Sequence, residues 1–167
     1  MRWEQRPVEI ANLLNPPFCA ILLHEAIHAY EQKDSRGLSF LLINLILPFV
    51  VHTKTRRTIS SRPNYSFIDW VGRQKIPSQV LASHIHQLTP FTMEGLVWGL
   101  DEDVIRFGDR KDSYSNLMTT EKTLQIDASW TRSSTPTDCR NKARIIGNWF
   151  AEVADVTTIY RTLGIRP

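Results

Sequence analysis

Cysteine is scarce in this chain of 167 residues: Cys19 and Cys139 are its two, far apart and outside any CxxC pair. That excludes a zinc ribbon or a disulfide framework and argues against an oxidising compartment. Glycine is thin as well, at seven residues, and none falls in GxGxxG or GxxxxGK[ST], so there is no phosphate loop. No GxSxG elbow marks a serine nucleophile. Neither cysteine has a local feature of an activated thiol. Long apolar runs are missing too. The greasiest segment, Leu38–Val51, is interrupted by Ser39, Asn44 and Pro48; as a helix it would span about 21 Å, against about 30 Å of bilayer hydrocarbon. It reads as a buried core helix. The first residues, Met1 to Pro7, hold no signal-peptide apolar stretch, so a cytoplasmic protein without membrane contact is expected.

What is present suits a globular protein. Hydrophobic residues make up 42% and charged residues 22%, which leaves little room for disorder along the whole length. The five tryptophans belong in a core or at interface anchors. A formal charge of +3 permits an anionic partner without demanding one.

Along the chain, Asn15-Pro16-Pro17 is an N-cap followed by first-turn prolines. Cys19, Leu22, Leu23, Ala26, Ile27 and Tyr30 then recur at helical spacing, until the polar run 32–36 and Gly37 end the helix. The greasy helix follows at once, so the two are expected to pair antiparallel as the heart of the fold. Ser66 caps a helix over 66–76; Pro77 separates it from a helix over 78–88; Thr89-Pro90 opens a third over 90–100. Strands are expected at 104–107 and 124–126, with a polar loop over 110–121. A C-terminal helix opens at Ser133-Ser134-Thr135-Pro136, and a last turn, 156–163, ends at Gly164. The order of elements is that of one domain over 1–167, mainly α with a small β-hairpin. It comprises a helical core at 15–60, a winged-helix-like part at 66–130 and a C-terminal helical segment at 135–167.

One motif invites a catalytic reading. His24-Glu25-Ala26-Ile27-His28 matches HExxH, in which two imidazoles at i and i+4 grip a zinc ion and the glutamate activates its bound water. A catalytic zinc needs a third protein ligand. In the extended form of the motif, Asp34 stands at the ligand position but Glu31 replaces the required glycine. Nor do the residues before His24 read as the sheet that holds a substrate strand. The preferred reading is therefore the polar side of an amphipathic helix, with no metal, no cofactor and no catalytic residue; a small zinc hydrolase using His24, Glu25 and His28 is the alternative. His84 and His86 are about 200° apart on a helix, and neither has ligand spacing to His52 or to the first pair, although distant histidines are free to converge in three dimensions.

Lys54, Arg56, Arg57, Arg73 and Lys75 are candidates for phosphate contact. The helix over 90–100 carries Glu94 and is followed by Asp101-Glu102-Asp103, whose charge repels DNA phosphate; a winged-helix DNA-binding protein is thus the second alternative. Trp149, Phe150, Tyr160, Arg161 and Leu163 are the candidates for a protein interface, with core packing the competing role for Trp149 and Phe150.

Three segments resemble the small middle components of bacterial three-component ABC systems. They are Ile10–Phe18; Leu47–His52 with Arg56; and Ala143–Phe150 with Thr158-Ile159-Tyr160 and Leu163–Pro167. The middle of the chain, about 60–135, matches less clearly. The resemblance implies a non-catalytic accessory subunit that bridges an SMC-like ABC ATPase and a nuclease-like effector. It implies a Lamassu-type, DNA-sensing antiviral defence complex, a helical, winged-helix-like fold, and DNA contact chiefly through the complex.

Overall fold

The structure, a computed structural model, describes residues 14–60, 62, 65–74, 76–109, 115–122, 124 and 134–166. Among them are seven α-helices and a three-stranded antiparallel sheet: α1 (Pro16–Glu31), β1 (Leu38–Ser39), α2 (Ile43–Val51), α3 (Thr53–Thr58), α4 (Phe67–Gln74), α5 (Ser78–Asp101), β2 (Ile105–Phe107), β3 (Asn116–Thr119), α6 (Ser134–Val153) and α7 (Val156–Thr162). The chain is mainly α with a small β region, as the sequence pattern indicates. No helix of the described residues is long and apolar enough to cross a membrane.

Helix α1 begins where the sequence places it. The Asn15 Oδ1 accepts from the Phe18 N–H at 2.7 Å, and prolines fill the first two helical positions. Its residues are buried on almost every side, with only His24 and His28 breaking the run between Phe18 and Tyr30. A helix apolar nearly all round must be covered on several faces. Each fully buried Leu or Ile here, such as Leu22, Leu23 and Ile27, contributes roughly 1.5–3 kcal/mol of transfer free energy.

The covering helices are α5 and α6, which make the most extensive contacts in the fold with α1. Two glycines allow the close approach. A Cβ on Gly147 of α6 would lie 2.1 Å from the Ala26 carbonyl oxygen, and one on Gly95 of α5 would lie 2.6 Å from the Cys19 Cβ. The expected heart of the fold, α1 with the greasy helix, is therefore corrected. Helix α2 also packs on α1, but less extensively.

The greasy segment is not one helix. Leu38 and Ser39 form β1, a 3-10 turn covers Phe40–Leu42, and α2 starts only at Ile43. The cause is non-local: Leu38 pairs with Leu117 and Ser39 with Asn116. Strand β3 lies between β1 and β2, with Ile105 opposite Thr119 and Phe107 opposite Leu117. It occupies 116–119, inside the stretch expected to be loop. Leu124 is irregular, and 125–126, like 110–114 and Ser133, lie outside the described residues.

The helices expected at 78–88 and 90–100 are one continuous helix of 24 residues with Pro90 inside it. Proline removes one backbone donor and disfavours the helical turn before it. Here Pro90 is exposed, and so is His86, whose carbonyl lacks the donor that proline removes. The Thr89 and Thr92 hydroxyls donate back to the Ile85 and Leu88 carbonyls, and the buried side of the helix, at Leu81, Thr92, Gly95 and Leu96, is held by packing. Without a break at 89–90, residues 66–100 do not supply the three helices of a winged helix-turn-helix.

Helix α4 opens on a capping box. The Asp69 N–H donates to Ser66 Oγ at 3.2 Å and the Ser66 N–H to Asp69 Oδ2 at 3.1 Å. An aromatic cluster docks it: Trp70 lies 5.1 Å from Phe49 and 5.7 Å from Trp149, and Phe67 lies 5.6 Å from Phe150, between ring centroids. The Trp149 Nε1–H donates to the Tyr65 carbonyl and the Trp70 Nε1–H to Thr58 Oγ1, so both indoles bury their bodies without stranding a donor.

Candidate functional site

His24 and His28, one turn apart, break the buried surface of α1 on one side. His24 is half-buried and His28 exposed, and their rings stack nearly parallel with centroids 6.1 Å apart. They line a cavity of about 320 Å³ with Glu25, Thr119, Thr120, Glu121, Lys122 and Leu124. Burial pushes the His24 pKa below its usual value; Glu25 works against that shift and His28 with it.

Glu25 borders the same cavity, but its carboxylate is taken up on the α6 side. It points into the joint between α1 and α6, where Arg140 and Arg144 meet it. Arg140 donates from Nε and Nη2 to Oε1, at 2.9 and 2.6 Å. Arg144 donates from Nε to Oε2 and from Nη2 to Oε1, at 2.6 and 2.9 Å. The spacing of the two arginines, i and i+4 on α6, puts them on one helix face. Burial pushes the Glu25 carboxyl up, but the hydrogen bonds and charges of Arg144 and Arg140 outweigh it and hold the pKa below the usual glutamate range. A general base that activates water needs a free carboxylate oxygen and a pKa near the working pH. Glu25 has neither.

The third-ligand candidate Asp34 and its neighbour Glu31 are also engaged. Glu31 accepts from the Thr119 N–H and hydroxyl, and Asp34 is paired with Arg36. Among the described residues, no group of three or more His, Cys, Asp or Glu side chains converges to hold a metal ion.

The basic candidates separate on the structure. Lys54 and Arg57 are exposed on α3, and Arg73 is exposed on α4 with its guanidinium 5.2 Å from the centre of the Tyr65 ring. Arg56 is buried. Its Nε pairs with Asp138 at 2.9 Å and its Nη1 donates to the Val50 and Val51 carbonyls that end α2. It is therefore a helix cap rather than a phosphate contact. Lys75 lies outside the described residues.

The C-terminal candidates are mostly interior. Trp149, Phe150, Tyr160 and Leu163 are buried, and Arg161 alone of the five is exposed. The Tyr160 hydroxyl donates to the Leu41 carbonyl, tying α7 to the 3-10 turn. Both cysteines are buried, and burial pushes the Cys139 thiol pKa up, away from nucleophilic use.

The arrangement defines a class first: a mainly helical protein whose most suggestive motif is built into an interhelical ion lock. The chain belongs to the family described as ABC-three component (ABC-3C) system Middle Component 3, whose profile matches residues 3–167. The match includes the middle of the chain, where the resemblance read from the residues is weakest. The family has an accessory place among the components of that system. No curated protein and no solved structure matches the chain.

Proposed function

We infer that the protein is a non-catalytic accessory subunit of a bacterial ABC three-component system, bridging an SMC-like ABC ATPase and a nuclease-like effector in a cytoplasmic, Lamassu-type defence complex. The observation that carries the reading is the family match over 3–167. The binding of Glu25 by two arginines supports the non-catalytic part, because it commits the motif's glutamate to holding α1 against α6.

In this reading the work is done by surfaces. Arg161 presents at a docking face on α7, which Trp149, Phe150, Tyr160 and Leu163 support from within. DNA is met chiefly through the complex; Lys54, Arg57 and Arg73 add weak, salt-sensitive contacts. Co-expression with the ATPase and effector encoded beside it tests the assembly, and one co-eluting complex is expected. A chain that elutes alone in the presence of both partners contradicts the reading.

A further inference from the structure

The strongest unassigned feature lies away from α1, where the end of α2, helix α3, the end of α4 and the start of α5 enclose a cavity of about 550 Å³. That is within the roughly 300–1,000 Å³ of small-molecule sites. The ionisable side chains lining it are His52, Lys54 and His84, and no carboxylate is among the described residues of its wall. Pro48, Ile76, Val80 and Leu81 supply an apolar wall beside them. The wall therefore combines basic and apolar side chains.

The two histidines come from separate elements, 32 positions apart in number, yet their ring centroids are 4.9 Å apart. His84, with Lys54 at the same wall, stands close enough to oppose protonation of His52. The His52 ring is fixed by a contact of 3.0 Å between Nδ1 and the Thr55 hydroxyl, which leaves Nε2 as its other polar atom. When Thr55 donates to Nδ1, Nε2 carries the proton and is a donor. Its pKa lies below the usual histidine value through burial first, then through His84, Lys54 and Arg56. Of these charged groups, Arg56 is already paired with Asp138. The neutralising charge for the others is not supplied by the described wall.

We propose that this cavity binds a phosphate monoester carrying an apolar body of nucleotide size, with the phosphate between His52, His84 and Lys54 and the body against Pro48, Ile76, Val80 and Leu81. A phosphate monoester brings about −1.5 to −2 charges near pH 7, matching two imidazolium groups and an ammonium better than a single carboxylate does. An adjoining cavity of about 210 Å³ shares Gln74, Ile76 and Leu81 and reaches Arg161, so a longer body has room beyond the first. The proposal goes beyond the accessory role and stands apart from it: a subunit that assembles with its partners need not bind this ligand, and the converse holds.

Binding a phosphate here takes up protons on the histidines, so affinity should weaken as pH rises and the imidazoles lose charge. The test is an NMR titration of the imidazole signals of the full chain with AMP, with a 5′-phosphorylated oligonucleotide and with its 5′-hydroxyl counterpart. Saturable shifts of His52 and His84, with raised pKa values and with His24, His28 and His86 unmoved, are expected for AMP if the source is a small nucleotide. The same shifts for the 5′-phosphorylated strand alone, and not for its 5′-hydroxyl form, assign the site to a strand end. His84→Gln should weaken binding by about tenfold, the loss of one charge-assisted contact, and so should Lys54→Gln, which lies on the exposed side of α3 and leaves the core untouched. Equal drift of all the histidines, no saturation with any probe, or full-strength binding by both folded variants would overturn the proposal.

Discussion

Arg144 grips Glu25 through both carboxylate oxygens, with Nε 2.6 Å from Oε2 and Nη2 2.9 Å from Oε1. Arg140 reaches Oε1 from one turn earlier on α6. A motif glutamate is thereby the central anion of a joint between two helices, and removing it leaves two guanidinium groups facing each other. Breaking a buried pair by deleting one partner costs about 3–5 kcal/mol, at the low end here because the Arg144 side chain is 46% exposed. Glu25→Gln should therefore lower the urea-unfolding free energy by about 3 kcal/mol. Unchanged stability would return Glu25 to the catalytic reading.

The same carboxylate sets a pH dependence. Its folded-state pKa is depressed by Arg144 and Arg140 against the opposing effect of burial, so its contribution to stability is fully present above the unfolded glutamate value of about 4.3. It fades as pH falls from there through the folded value. Acid titration of the melting temperature should show a loss in that window that is smaller in Glu25→Gln. Parallel curves for the two proteins would refute the assignment.

Packing at Gly147 gives a third expectation. An added methyl would stand 2.1 Å from the Ala26 carbonyl oxygen, a backbone atom that cannot rotate away. Gly147→Ala should destabilise by about 1–3 kcal/mol through overpacking, although alanine is the better helix former. A gain in melting temperature would mean that α6 does not approach α1 as described.

Pro90 separates the one-helix from the two-helix account of 78–101. In the middle of a helix, proline costs up to about 3 kcal/mol relative to alanine, so Pro90→Ala should raise stability by about 1 kcal/mol or more, tempered by the packing that already holds the helix. At the first position of a separate helix, proline is favourable, and the same change would be neutral or harmful.

These cases show which parts of the fold are legible in the residues. The Asn15 cap, the Ser66 start and the Gly164 stop, with φ of +69°, are local chemistry and are visible in a few adjacent side chains. The fusion at Pro90 and the strand at 116–119 are not, because tertiary packing overrides a local break in one and two distant strands create the other. Of the site, the i, i+4 spacing of Arg140 and Arg144 is readable, but its target on α1 is not. His52 and His84 carry no spacing signal at all, since only the packing of α2 on α5 brings His52, at the end of α2, beside His84.

The central claim is that the HExxH helix holds structure while the chain serves by binding. The most direct measurement is the metal content of the chain purified together with the ATPase and effector proposed as its partners, without added metal. The account predicts a single complex that retains all its components, zinc well below one ion per chain, and the same composition when His24→Ala is substituted. One zinc per chain that disappears with His24→Ala, while the complex stays intact, would contradict it.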